Sequence, residues 1–169
     1  MGMKKTLAYF LYVMVCAAIF LGFVKIFDSP LSPSPANAFE WEKQVDIYFG
    51  NTNMSSSEDC SKVFPLSRTV LNAETFGPGA LEALLKGVSE KEKEAGYFTS
   101  LNDDILLQKF EIKNKVAYVD FDSRFNEGMG GSCRVTAIMS QIENTLNNLP
   151  DIDSVVVSVN GQTEGILEP

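Results

Sequence analysis

The sequence predicts an α+β fold: a single domain with two helices packed on one face of a mostly antiparallel sheet. Two patterns and their order predict it. Short apolar runs of period two are bounded by Gly, Asn or Pro, and two other runs repeat their apolar residues every three or four positions. Their order is strand, strand, helix, hairpin, helix, strand, which leaves both helices to cover one sheet.

The first strand is Val45-Asp46-Ile47-Tyr48-Phe49, ended by Gly50-Asn51. Residues 50–61 form a polar loop that holds Cys60. A second extended stretch runs from Val63 to Leu71, and Pro65 assigns it to a sheet edge or a bend, because proline has no N–H for an inner ladder. Thr75-Phe76-Gly77-Pro78 opens a helix in which Leu81, Leu84 and Leu85 share a face and Gly87 is the stop. The alternating charges of Ser89–Glu94 read as a solvated helical turn. Ile105–Ile112 and Val116–Phe121 make a hairpin joined at Lys113-Asn114-Lys115. In the second helix Val135, Ile138, Met139, Ile142, Leu146 and Leu149 form the apolar stripe, Arg134, Gln141, Glu143, Asn144 and Asn148 cover the other side, and Pro150 ends it. Ser154–Val159 is the last strand, and Thr163–Leu167 is expected to return after the Asn160-Gly161 turn as a hairpin arm.

This domain, residues 45–169, is expected behind two other segments. Thr6–Val24 is an uncharged run long enough, at about 1.5 Å per residue, to cross roughly 28 Å of hydrocarbon. Residues 1–27 are therefore read as a transmembrane signal anchor. Lys4 and Lys5 precede the run, which puts the N-terminus in the cytoplasm and the domain outside the plasma membrane. Ala36-Asn37-Ala38 has the form of a signal-peptidase site but lies far from an overlong apolar run. Val15 before Cys16, with more apolar residues after it, argues against lipidation there. Residues 28–44, with three prolines, read as a semi-extended stalk.

Charge and composition exclude several function classes. Every acidic residue lies from Asp28 onward, where 22 acidic residues face 11 basic ones, so residues 28–169 carry a net charge of −11. Such a field repels phosphate backbones, and nucleic acid is not an expected partner. The chain has no histidine, which removes Ser-His-Asp and Cys-His catalysis and imidazole-based metal sites.

Cys60 and Cys133 are the only cysteines outside the apolar segment, and an oxidising compartment makes a disulfide between them the default. Closing so long a loop stabilises by roughly 4 kcal/mol on the chain-entropy estimate. The competing role for Cys133, a nucleophile at a helix start, lacks a histidine base. Gly128–Ser132 precedes a helix but lacks the Gly-Lys-Ser/Thr ending of a phosphate loop. Asp103-Asp104 and the Asp120/Asp122 pair offer carboxylates, without further ligands at calcium-site spacing. Phe39, Trp41, Tyr48 and Phe49 read as packing or interface aromatics. No catalytic, cofactor or metal site is assigned.

Seven segments in order carry a family resemblance: Val45–Phe49, Val63–Val70, Ala80–Gly87, Tyr97–Leu101, Val116–Phe121, Gln141–Leu146 and Val155–Gly161. Together they resemble the GerMN domain of sporulation and germination proteins. The resemblance implies an α+β fold similar to the ring-building modules of secretion and sporulation envelope complexes, and it brings no catalytic residues or cofactor. The chain departs from the family's pattern in having one domain in place of a tandem pair, and in the Cys60/Cys133 pair. The expected function is a non-catalytic, membrane-anchored interaction domain of a bacterial cell-envelope assembly, with envelope proteins or a second copy as partners. The alternative is a binder of peptidoglycan or of a small envelope ligand.

Overall fold

The computed structural model describes residues 41–55, 59–72, 76–128 and 130–167. The apolar segment Thr6–Val24, the Ala36-Asn37-Ala38 site and the stalk up to residue 40 lie outside them. Among the described residues no helix is long and apolar enough to cross a membrane.

Strand β1 (Trp41–Asn51) pairs antiparallel with β2 (Phe64–Asn72) in the register Val45↔Arg68 and Ile47↔Leu66. It begins at Trp41, four residues before the expected domain start, so Trp41–Gln44 belong to the sheet and not to the stalk. The alternation is kept along the strand, and Val45, Ile47 and Phe49 are buried. Helix α1 (Phe76–Leu85) follows, with Gly77, Ala80, Leu81 and Leu84 buried at helical spacing. Gly87 ends it at φ +73°, a left-handed conformation that costs glycine little, and its N–H donates to the Leu84 carbonyl.

The charged run is the short helix α2 (Glu90–Glu94), held by Glu92. That carboxylate accepts both guanidinium N–H groups of Arg68 at 2.7 Å and the Ser89 N–H at 2.7 Å. The Arg68 bond, with the Ser89 bond adding to it, pulls the Glu92 pKa down to about 2. Strand β3 (Tyr97–Phe98) then pairs with Gly50 and Asn51 of β1.

Strands β4 (Leu107–Lys113) and β5 (Val116–Phe121) form the expected hairpin, whose turn residues Asn114 and Lys115 both have positive φ. A 3-10 turn (Ser123–Asn126) stacks Phe125 on Phe121, with ring centroids 4.6 Å apart. Helix α3 (Ser132–Asn147) carries the chain back, and β6 (Ser154–Val159) lies parallel to β5.

The architecture is α+β, with one difference from the single sheet expected. The described residues form two three-stranded sheets, in the orders β2-β1-β3 and β4-β5-β6. The cause lies in the connections. The β5–α3–β6 unit is a strand–helix–strand crossover, which returns the chain to the same end and makes the pairing parallel. Helix α1 packs on β1 and β2 and reaches β4, while α3 packs on β1 and reaches β6; the two helices also touch each other. The helix pair thus joins the two sheets around one apolar core. The tail does not form a hairpin arm. A single antiparallel bridge joins Val159 and Gln162, and Leu167 is buried, its N–H donating to Asn126 Oδ1.

Candidate functional site

The end of β1, the loop after it, the residues after β3 and the start of α3 enclose a cavity of about 500 Å³. Each wall has a local cause. Asn51 is 1% exposed and anchors the β1 end: its Oδ1 accepts the Asn53 N–H and its Nδ2 donates to the Ala95 carbonyl. Gly50 lets the Phe98 ring lie against the backbone, since a Cβ there would sit 2.4 Å from the ring. The Cys60–Cys133 disulfide, with Cα atoms 5.3 Å apart, ties the loop to the first turn of α3 and forms part of the wall. Cys133 is thereby a bonded cysteine and not a free nucleophile.

The cavity surface is mostly apolar, and its charged residues, among those described, are Asp59, Lys62 and Arg134. Helix α3 starts at Gly131 with no side-chain cap and no acidic residue in its first turn. Arg134 is half-buried, and among the described residues its guanidinium donates to neutral oxygens: the carbonyls of Ser100 and Gly128 and Oδ1 of Asn102. Deeper along the same helix lies Gln141, 0% exposed. Leu101 N–H donates to Thr99 Oγ1, and the Thr99 hydroxyl donates to Gln141 Oε1 at 3.0 Å. Gln141 Nε2 has no hydrogen-bond partner among the described residues. Asp59 is the one carboxylate in the wall among the described residues, and its pKa is lowered by hydrogen bonds from Ser61, whose hydroxyl and N–H both donate to it.

This corrects the reading of α3, in which Gln141 was placed on the outer face. Its position is three residues after Ile138 and four before Thr145, which puts it on the buried line, and that spacing was the available signal. Thr145 is buried too and accepts the Tyr48 N–H at 3.0 Å, so α3 covers β1 just where β3 ends. The other candidate residues do not converge. Asp120 accepts from Ser158 Oγ and the Gly161 N–H, while Asp122 accepts from the Leu106 N–H and Arg124 Nε. Asp103 and Asp104 stand exposed in a turn. Among the described residues no three His, Cys, Asp or Glu side chains come together as a metal-holding group. Phe49 is core, Tyr48 is half-buried, and Phe39 lies outside the described residues.

Fold and site together define a disulfide-tied α+β domain with a mostly apolar cavity and, among the described residues, no strand paired to the outer side of β2. The chain belongs to the Germane family, described as sporulation and spore germination, whose model matches residues 46–165. It is 31% identical over 123 residues to the spore germination protein GerM of Bacillus subtilis (strain 168), a match covering 68% of this chain and 32% of that protein. The chain therefore spans about a third of the length of that relative. The solved tandem GerMN domains of the sporulation protein GerM from Bacillus subtilis superpose with a TM-score of 0.59 at 27% identity, covering 72% of this chain and 40% of that one.

Proposed function

We propose that the chain is a non-catalytic, single-pass, membrane-anchored domain outside the cytoplasm that joins a bacterial cell-envelope assembly of the sporulation and germination kind. The observation that carries this reading is the free edge of β2. Nine residues long, β2 ends its sheet, and no described strand pairs with its far side. Such an edge offers backbone donors and acceptors to a partner's strand, or to a second copy. On the other side of β1 only its last residues are covered, Gly50 and Asn51 by β3 and the Tyr48 N–H by Thr145. Leu71, 51% exposed, adds an apolar contact on the free strand. Membrane attachment is supported by the length of Thr6–Val24 and by Lys4 and Lys5 before it.

The test is crosslinking of the full-length protein in native membranes, followed by affinity capture. The charged variant Ser67→Arg/Leu71→Arg is expected to lose the partners captured with wild type. Its melting temperature should hardly change, because Ser67 and Leu71 are exposed and such surface changes alter stability by about 0.5 kcal/mol at most. Normal capture by this variant would refute docking at the β2 edge.

A further inference from the structure

Resting on the reading of β2 as the docking edge, we infer that the partner there is a second copy of this chain, paired antiparallel through β2 about a two-fold axis at Arg68. The backbone decides which groups are on offer. The Tyr48 N–H donates to Thr145, on the side away from β2, so Tyr48 and Pro65 face each other without exchanging bonds and Pro65 turns its carbonyl outward. Every second residue of β2 does the same. Ser67, Thr69 and Leu71 therefore present N–H and C=O to the outer side, and all three residues are exposed. Pro65 is exposed too but has no N–H to give. At the other end the Leu71 carbonyl lies against α1, 2.8 Å from where a Cβ on Gly79 would stand.

These two gaps select the partner. When two β2 strands pair about Arg68, Ser67 faces Thr69 of the second copy and Pro65 faces its Leu71, so the missing donor falls opposite the covered acceptor. The outward groups of Ser67 and Thr69 then all bond, on both sides of the axis. On the outer face Leu71 meets Pro65 of the second copy, and the axis repeats this apolar contact. Charge points the same way. Strand β2 holds no carboxylate, in a chain whose residues 28–169 carry −11. On that face the neighbouring acids, Glu42 and Asp46, stand one strand further back, opposite Leu71 and Ser67. Three strand spacings of about 4.8 Å keep them roughly 14 Å or more from their counterparts, beyond the screening length of about 8 Å at physiological salt. Arg68 faces its counterpart on the helix side, where each guanidinium has its own Glu92 at 2.7 Å and a groove of about 560 Å³ gives both room.

The test measures the mass of the full chain in detergent micelles by sedimentation equilibrium, over a concentration series reaching the millimolar range. A monomer–dimer equilibrium is expected. Ser67→Arg/Leu71→Arg should weaken it at least about tenfold at an unchanged melting temperature, by adding cations beside the two facing Arg68 side chains. The register is tested separately. Ser67→Glu should weaken self-association, and Ser67→Glu/Thr69→Lys should restore it to within about threefold of wild type, because each new carboxylate then faces the new ammonium of the second copy. The second copy is overturned as partner if the chain stays monomeric at millimolar concentration, if the arginine variant dimerises like wild type, or if Ser67→Glu/Thr69→Lys is no tighter than Ser67→Glu. Capture from native membranes separates this failure from that of the edge itself. A monomeric chain whose arginine variant still loses its captured partners keeps the β2 edge and loses the second copy, whereas normal capture by that variant refutes both.

Discussion

Replacing both Cys60 and Cys133 by serine isolates the contribution of the disulfide. The two residues are 73 positions apart, and the chain-entropy relation for a loop of that size gives about 4 kcal/mol at 25 °C. Little else changes in the substitution. Cys133 is exposed and Cys60 only partly buried, so two serine hydroxyls in place of the sulfurs open no core cavity. For a domain of this size one kcal/mol moves the melting temperature by roughly 3–5 °C, so the double variant should melt roughly 12–20 °C below wild type. Thermal melts followed by circular dichroism measure this, with wild type in reductant as an independent route to the same state. The two should coincide. A double variant that melts within about 2 °C of oxidised wild type would mean that the crosslink restricts the unfolded chain far less than the relation requires.

Three further outcomes follow from single contacts. Glu92→Gln should cost about 1–2 kcal/mol at neutral pH, less than its full pKa shift implies because Arg68 and Glu92 are 26% and 20% exposed. A carboxylate lowered to about 2 contributes stability that is complete above the unfolded value of 4.5 and is lost as pH falls toward 2, so urea melts of the two proteins should converge across that window. A gap that stays constant down to pH 2 refutes the pairing. Gly77→Ala would ordinarily stabilise a helix by up to about 1 kcal/mol, but its Cβ would lie 2.1 Å from the Phe110 ring, and overpacking of about 1–3 kcal/mol should reverse the sign; a stabilised variant in urea melts refutes that contact. Thr145→Val keeps the volume and removes the acceptor of the Tyr48 N–H, for an expected loss of about 1–3 kcal/mol; an unchanged urea midpoint would show that this N–H is satisfied elsewhere.

The long periodic elements were legible because burial repeats with the period of the backbone. Val45-Asp46-Ile47-Tyr48-Phe49 alternates in sequence and in exposure, and Ile138, Ile142 and Leu146 are buried in α3 as their spacing requires. Pro65 correctly marked an edge strand. Strand β3 could not be read, since two residues have no period, and its pairing with Gly50 and Asn51 is a tertiary fact. Division into two sheets was hidden for a similar reason: the β5–β6 pairing depends on where α3 delivers the chain. Of the candidate site, only the disulfide was visible in advance. Gln141 was misassigned because glutamine between Ser140 and Ile142 looks like surface, and only the line through Ile138 and Thr145 argues otherwise.

The edge and the cavity share β1 but use different parts of it, which makes their roles separable. Gly50, at the C-terminal end of β1, lines the cavity, whereas Ser67 and Leu71 pair with Asp46 and Glu42 nearer its beginning and do not line it. A substitution at Leu71 changes what a partner strand meets and leaves Gln141 and the start of α3 untouched. Loss of capture in the Ser67→Arg/Leu71→Arg variant at an unchanged melting temperature therefore assigns docking to the β2 edge, whereas capture that persists moves it to a surface that neither residue touches.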